Sequence, residues 1–223
     1  ALVAAKVDNA LLWLRPRLGG AGAGLTARGR EVLEALAATD DAGKAMGLEG
    51  GFARHAFPAV NGLVRDEAFR SAARVPRRKP DRWNALLDFA YSQLFTRLNV
   101  LVRGEGLNPY LGFLHSPADR YESLVADLQE PFRHRMDRWA VNIVNCGVVR
   151  AEAFAHEGGR WRMAPGALDP LLQAFEEELD TRMAGDEATL REQLTAQVLH
   201  ARRWACEDGD FLVCRRGGWV GRG

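Results

Sequence analysis

The stretch GLNPYLGFLHSPADRYESLVADLQEPFR, residues 106–133, decides how the rest of the chain is interpreted. It places His115 on a loop, and the predicted helix after that loop carries Asp127 and Glu130. Residues three apart on a helix lie on one face about one turn apart. Two carboxylates there repel each other unless a proton or a cation lies between them. The first hypothesis is therefore a cation held by oxygen ligands and one imidazole, with Glu49, in LEGGFARHAF, as a distant further ligand.

The same residues also have a plainer interpretation. An Asp and a Glu three residues apart usually belong to a solvated helix surface, and the spacing alone has little specificity for a metal. On a helical wheel Asp127 and Glu130 lie at the border of the apolar stripe, where a carboxylate stays hydrated but screened. His134 lies on the same flank, four residues past Glu130, so periodicity leaves it as a rival of His115 for the role of ligand.

Hydrophobic periodicity predicts a mainly helical chain. The clearest helix is 81–103, and its apolar residues recur at helical spacing at Leu87, Tyr91, Leu94, Leu98 and Leu101. Further helices are predicted at 1–15, 26–38 with Thr26 as N-cap, about 40–57, about 120–145, about 167–183 and 187–206. The predicted fold class is all-α, a single multi-helix domain over residues 1–206 with at most one short β-hairpin near 148–163.

Two segments are predicted to be irregular. Residues 19–25 are rich in glycine, which costs about 1 kcal/mol per residue in a helix relative to alanine, and predict a flexible link. The tail, residues 207–223, ends in RRGGWVGRG and is predicted to be poorly ordered.

Composition and charge exclude several classes of protein. Hydrophobic residues make up 47% and charged residues 26%, which is ordinary for a globular protein, and the net charge of +1 gives no overall basic field. The three cysteines (Cys146, Cys206 and Cys214) lack metal-site spacing, which argues against a cysteine zinc site and a disulfide framework. Lys6 and Asp8 interrupt the first apolar run, so it predicts neither a signal peptide nor a membrane span. We expect a cytoplasmic protein.

The segment 58–80 carries a local excess of four positive charges. Asp66 and Glu67 are outnumbered by Arg65, Arg70, Arg74, Arg77, Arg78 and Lys79. Such a segment is often only solvated surface, but it is also what a phosphate-contacting arm requires.

Three motifs in order resemble one known family, the CRISPR-associated spacer-acquisition integrase, which is the catalytic subunit of the CRISPR adaptation complex. The motifs are PDRWNALLDFAYSQLF (80–95), GLNPYLGFLH (106–115) and SLVADLQEPFR (123–133). An upstream E-G-x-x-A-R segment of that family is matched by Glu49, Gly50, Ala53 and Arg54. The chain departs from the family pattern at Ala56, which is usually aromatic, and at His134, which is usually proline.

The resemblance implies a site as well as a family. It assigns a divalent cation, Mn²⁺ or Mg²⁺, to Glu49, His115 and Asp127, with Glu130 as a further acidic group. A nitrogen ligand suits Mn²⁺ at least as well as Mg²⁺. The resemblance favours His115 over His134, because the metal histidine of the family closes the GLNPYLGFLH turn. The arginines expected to contact DNA are Arg54, Arg74, Arg77, Arg78 and Arg133.

The reaction that the resemblance implies is transesterification, in which the 3′-hydroxyl of captured DNA attacks a phosphodiester of the CRISPR repeat. The implied partners are double-stranded DNA, a second copy in a homodimer, and a small second adaptation protein that bridges two dimers. The β-rich N-terminal domain of the family is expected to be absent from this chain. Hydrolysis of DNA by the same ion, or a catalytically silent subunit that holds DNA, are the alternatives.

Overall fold

The computed structural model describes residues 1–115, 121–207 and 209–221. Most of the described residues are helical, which confirms the predicted helical class, and they also form two small antiparallel sheets. The helices are α1 (Leu2–Leu18), α2 (Ala23–Ala37), α3 (Ala42–Gly62), α4 (Arg82–Gly104), α5 (Ser123–Gln129), α6 (Arg133–Asn145), α7 (Leu168–Leu179) and α8 (Leu190–Cys206). The strands are β1 (Phe154–Glu157), β2 (Arg160–Met163), β3 (Val213–Arg215) and β4 (Gly218–Val220).

Helix α4 is the central element of the core, as its periodicity predicts. Its N-cap is Asp81, whose side chain accepts a 2.7 Å hydrogen bond from the backbone N–H of Asn84. Leu87, Leu94 and Leu98 are buried on the face of α4 that packs against α5, α6 and α8. The helix therefore supports the two elements that carry Asp127 and Glu130.

The predicted continuous helix over 120–145 is wrong in its middle. A 3₁₀ turn, Glu130–Phe132, separates α5 from α6. Pro131 has no N–H and its ring obstructs the preceding turn, so the α-helical hydrogen bonding is interrupted there. The backbone N–H of Glu130 donates to the Asp127 carbonyl, a 3₁₀-type bond that keeps the two acids one turn apart. The predicted start of this helix, near residue 120, lies outside the described residues.

The predicted flexible link at 19–25 is helical in the structure. Gly19–Gly22 form a 3₁₀ turn, and α2 begins at Ala23. Thr26 therefore lies inside α2 rather than at its N-cap, and its Oγ1 donates a 2.9 Å hydrogen bond to the carbonyl of Gly22. The link joins α1 and α2 as a tight corner, and the two helices pack against each other.

The hairpin expected near 148–163 is confirmed by β1 and β2, which pair antiparallel with Phe154 opposite Met163. The expectation of only one hairpin is wrong, because β3 and β4 form a second one within the tail predicted to be poorly ordered. Val213 and Cys214 of β3 are buried, and the Cys214 N–H donates to Gln197 of α8. Among the described helices, none is long and apolar enough to cross a membrane.

Polar side chains of α1 hold this second hairpin in place. Buried Asp8 forms ion pairs with Arg215 and Arg216 at 2.7 and 2.6 Å. Asn9 donates from Nδ2 to the carbonyls of Pro131, at 2.9 Å, and Cys214, at 3.1 Å. These bonds clamp α1 against both the 3₁₀ turn and β3, and so bring the N-terminal half of α1 next to Glu130.

Candidate functional site

The loop that precedes α5 is organised around the Asp127 carboxylate. Asp127 is fully buried, and its Oδ2 accepts hydrogen bonds from the backbone N–H groups of Phe113, at 2.6 Å, and Leu114, at 2.8 Å. Its Oδ1 accepts a third from the N–H of His115, at 3.0 Å, and lies 2.6 Å from the Nδ1 of the same residue. Four donors therefore use the acceptor capacity of this carboxylate, and they fix the loop that carries His115.

The close approach of the loop to α5 requires a glycine at position 112. A Cβ at Gly112 would lie 2.7 Å from Asp127 Oδ2 and 2.9 Å from the Cβ of Ser123. Ser123 completes the attachment, since its Oγ accepts from the Gly112 N–H at 2.9 Å and donates to the Tyr110 carbonyl at 2.7 Å. The glycine of the GLNPYLGFLH motif is thus explained by packing against the buried acid.

Asp127 also determines the tautomer of His115 and shifts its pKa. A carboxylate at Nδ1 selects the tautomer with the proton on Nδ1, which leaves the Nε2 lone pair available to a ligand. The hydrogen bond to Asp127 raises the pKa of His115 from its ordinary value, although partial burial acts in the opposite direction. The imidazole side chain is 20% exposed.

A second acidic pair lies beside this loop and contains a lysine. The Nζ of Lys6 lies 2.5 Å from Glu49 Oε1 and 2.5 Å from Glu130 Oε2. Glu49 comes from α3, Glu130 from the 3₁₀ turn and Lys6 from α1, so three separate elements converge here. Glu130 is buried. Burial alone would raise its pKa, but the charges of Lys6 and Arg133 outweigh that effect and hold the pKa at about 2.

Arg133 closes the site on the side of α4. Its Nη1 donates to Glu130 Oε1 at 2.9 Å, and its guanidinium carbon lies 4.5 Å from the centroid of the Tyr91 ring. Tyr91 in turn donates to Asp137, which holds the ring in place. Arg133 is therefore tied to Glu130 and stacked on an aromatic ring.

A known protein family matches most of this chain. The family model described as CRISPR associated protein Cas1 matches residues 1–177. The chain belongs to the Cas1 family. A CRISPR-associated endonuclease Cas1 of Thermus thermophilus is 33% identical over 202 residues, which cover 88% of this chain and 59% of that protein. A second Cas1 of Thermus thermophilus is 35% identical over 185 residues, covering 80% of this chain and 55% of the relative.

Solved Cas1 structures share the fold. The Cas1 protein from Thermotoga maritima superposes with a TM-score of 0.79 at 23% identity, over 91% of this chain and 63% of that one. A casposase bound to an integration product superposes with a TM-score of 0.77 at 22% identity, over 94% of this chain and 61% of that one. The chain spans a little over half the length of the Thermus Cas1 relatives that it matches.

In this Cas1-family chain the predicted ligands are divided between two clusters. His115 lies with Asp127, whereas Glu49 lies with Glu130 and Lys6. Among the described residues, no three His, Cys, Asp or Glu side chains are placed to hold a metal ion as they stand. The set of Glu49, His115 and Asp127 stays a prediction; in the structure the Asp127 oxygens accept the hydrogen bonds of the loop.

The predicted border position of the two acids is also wrong. Asp127 and Glu130 are both buried rather than hydrated, at 0% and 4% exposure. Asp127 tolerates burial because it accepts four hydrogen bonds, and Glu130 because it pairs with two cations. Sequence reasoning missed Lys6 entirely. Its two acid partners are distant in sequence, so no local spacing could have indicated it.

His134 takes no part in either cluster. Its Nδ1 lies 2.9 Å from the carbonyl oxygen of Pro131, in the turn just before it. Burial lowers the pKa of His134 to about 3, so the imidazole is neutral near pH 7.

The arginines predicted to contact DNA fall into two groups. Arg74 is partly buried and bonded to Asn84 at 2.9 Å and Asp88 at 2.5 Å, so it has a structural role. Arg133 is engaged with Glu130, as described above. The remaining three are exposed on the surface, namely Arg54, Arg77 and Arg78. The ring of Tyr121 lies edge-on to His115, with 6.2 Å between the ring centroids.

Proposed function

We propose that this chain carries the catalytic site of a DNA nuclease and integrase of CRISPR adaptation that depends on a divalent cation. The observation that carries the proposal is the convergence of Glu49 and Glu130 on a single cation, beside a histidine oriented by Asp127, in a Cas1-family fold. Two carboxylates and an imidazole form a donor set typical of Mn²⁺ and also usable by Mg²⁺.

The residues fit such an ion. The ammonium of Lys6 marks a point where a positive charge is stabilised by two carboxylates from different elements. Buried Glu130 Oε2 has the Lys6 ammonium, at 2.5 Å, as its cationic partner, so this oxygen already lies where a cation is bound. We assign the ion to Glu49, Glu130 and the Nε2 of His115, and assign Asp127 the role of orienting His115. This differs from the sequence-based set, in which Asp127 was a ligand and Glu130 an accessory.

The protein side chains each have a defined task in this proposal. The ion, when bound, would polarise the attacked phosphodiester and stabilise the negative charge that develops on its oxygens. Asp127 keeps the Nδ1 proton of His115 in place, so that Nε2 always faces the site. Arg77 and Arg78 would hold the DNA backbone at the rim of the site, since exposed guanidinium groups bind phosphate oxygens.

DNA and a second adaptation protein are the proposed partners. Structures with this fold include a casposase bound to an integration product and a complex of a Cas6-RT-Cas1 protein with Cas2, with TM-scores of 0.77 and 0.82. The casposase complex and the Cas6-RT-Cas1–Cas2 complex support the same classes of partner, DNA and a second protein, for this chain. A homodimer bridged by the second protein remains part of the proposal.

A joining assay tests the reaction. A supercoiled plasmid that carries the CRISPR repeat is incubated with end-labelled donor DNA, Mn²⁺, this protein and its small partner protein. Integration predicts label covalently attached to the plasmid, and His115→Ala should abolish it. His134→Ala is the matched control and should retain most of the joining, because the hydrogen-bond partner of its imidazole is the Pro131 carbonyl and not a residue of either acidic cluster.

The second candidate function is hydrolysis of DNA by the same site, and it is favoured because both Thermus thermophilus relatives are named endonucleases. In the joining assay, hydrolysis would nick or cut the plasmid without attaching donor to it. A catalytically silent subunit that only holds DNA would bind the donor but give neither product.

A further inference from the structure

Lys6 lies where two acidic residues of the candidate site meet. Its Nζ donates to Glu49 Oε1 and pairs with Glu130 Oε2, with both distances at 2.5 Å. Only 16% of the lysine side chain is exposed, and the two carboxylates are 15% and 5% exposed. This is a partly desolvated ion pair, in which removal of any one charge leaves the others poorly compensated.

The ammonium and a divalent cation cannot occupy this position together. An ion bound by the same two oxygens would lie about 2.1 Å from each of them. The Nζ already lies between those oxygens, so the two cations would overlap and their charges would repel each other. Binding of the ion therefore requires that Lys6 leave the two carboxylates.

The charges of the site also indicate that Lys6 must leave before the ion binds. Glu49 and Glu130 contribute two negative charges, and Lys6 and Arg133 contribute two positive charges, so the cluster is balanced without an added ion. While Lys6 stays in place, these four side chains have no net negative charge to attract a divalent ion. Once Lys6 moves away, the carboxylates again have a charge for the ion to neutralise.

We propose that Lys6 is a resident cation that competes with the divalent metal ion and is released when the ion binds. This inference rests on the proposed function, because it concerns the same acidic pair. The four-carbon stem of lysine is flexible, and the partial exposure of Lys6 gives its ammonium a way out to solvent. The displaced ammonium would then stand at the mouth of the site, where a DNA phosphate must approach.

Chemical labelling of the unmodified protein tests the release directly. The chain has only three lysines, Lys6, Lys44 and Lys79, so an amine-acylating reagent with mass spectrometry reports on each of them. Lys6 should be labelled slowly without Mn²⁺ and several-fold faster at saturating Mn²⁺. Exposed Lys44 is the internal reference, and its labelling should not change.

Titration of variants with Mn²⁺, followed by electron paramagnetic resonance of the free ion, tests the competition. Lys6→Met should bind Mn²⁺ at least about tenfold more tightly than the unmodified protein, because its two carboxylates no longer have a competing partner. Lys44→Met removes the same charge from the surface and should leave the affinity unchanged. Should Lys6→Met fail to fold, the labelling experiment still decides the question.

The outcomes separate this inference from the proposed function. Faster labelling of Lys6 together with tighter binding in Lys6→Met supports both. If the unmodified protein binds Mn²⁺ but the labelling rate of Lys6 does not change, the displacement of Lys6 is overturned and the metal site stands. This holds even if Lys6→Met binds Mn²⁺ more tightly because of its altered charge. Absence of Mn²⁺ binding in the unmodified protein and in Lys6→Met overturns the metal site and this inference together.

Discussion

The Asp127 carboxylate and the His115 residue are joined at two points, through the imidazole Nδ1 at 2.6 Å and the backbone N–H at 3.0 Å. A single buried acid thus fixes both the ring and the main chain of the histidine. Such double attachment limits the rotation of the ring and the movement of the loop. It explains how a residue on a loop can serve as a fixed ligand.

Replacing Asp127 with asparagine should release this loop. An amide presents one acceptor oxygen to four donors and turns its NH₂ group toward some of them, so we expect a loss of about 2–4 kcal/mol of stability. Amide hydrogen exchange of residues 113–115 should accelerate at least tenfold. Glu122→Gln changes a nearby acid outside the loop network and should leave that exchange unaltered. Equal protection in Asp127→Asn and the unmodified protein would show that the carboxylate does not hold the loop.

The basic segment should separate into structural and DNA-binding arginines. Arg77→Ala with Arg78→Ala should weaken DNA binding and reduce the slope of log affinity against log salt by about 2, with little loss of stability. Arg74→Ala should instead lower the free energy of unfolding by about 1–3 kcal/mol, because its bonds to Asn84 and Asp88 are lost. Binding measured between 50 and 200 mM salt, with thermal unfolding in parallel, checks both. An unchanged salt slope for the double variant would make Arg77 and Arg78 plain solvated surface.

His134 should make stability depend on pH below neutrality. Its pKa is about 3 in the folded protein and about 6.5 when unfolded, so the unfolded chain binds the additional proton between those values. The stability from neutral His134 is complete well above pH 6.5 and falls, by up to about 1.4 kcal/mol per pH unit, as the pH drops toward 3. Denaturant unfolding of His134→Asn, whose amide can still donate to Pro131, should show a smaller decrease between pH 6.5 and 4.5. Identical pH profiles would mean that His134 titrates normally.

The C-terminal hairpin should depend on Asp8. Asp8→Asn removes the charge that pairs with Arg215 and Arg216, so limited proteolysis should cleave within residues 209–221 more readily. Because these bonds help to hold α1, stability should fall by about 1–3 kcal/mol. Asp169→Asn, on the exposed start of α7, is the control. Equal cleavage rates for both variants would show that the hairpin is held by its apolar contacts alone.

Local sequence patterns predicted those helices and strands that are determined by residues close together in the chain. The apolar stripe that contains Leu87, Leu94 and Leu98 predicted α4 to within one residue at each end. Pro131 should have indicated the break in the helix after α5, but the strong apolar period on both sides of it concealed the interruption. The second hairpin was missed because its partner, Asp8, lies about 207 residues earlier in the chain.

The same distinction applies to the candidate site, where some contacts are between neighbours in sequence and others are between distant residues. The motif containing His115 and the acids after it were recognisable, but their assignment depended on contacts that spacing does not encode. Asp127 has the position of a ligand on a helical wheel, yet its oxygens are used by the loop. Lys6 and Glu49 come within bonding distance of each other because α1 packs against α3, and Asn9 ties α1 to the turn that carries Glu130.

Thermal unfolding with increasing Mn²⁺ tests the central claim, that Glu49, Glu130 and His115 bind a divalent cation, most directly. An ion bound only by the folded state at one hundred times its dissociation constant adds about 2.7 kcal/mol, or roughly 5–10 °C in Tm for a chain of this size. We predict this rise in Tm for the unmodified protein and for the control variant Glu122→Gln. The rise should be lost in three variants, Glu49→Gln, Glu130→Gln and His115→Ala. Each Tm is compared with the Tm of the same protein without metal. An unmodified protein whose Tm does not respond to Mn²⁺, or a Glu130→Gln variant with the full rise, would contradict the account.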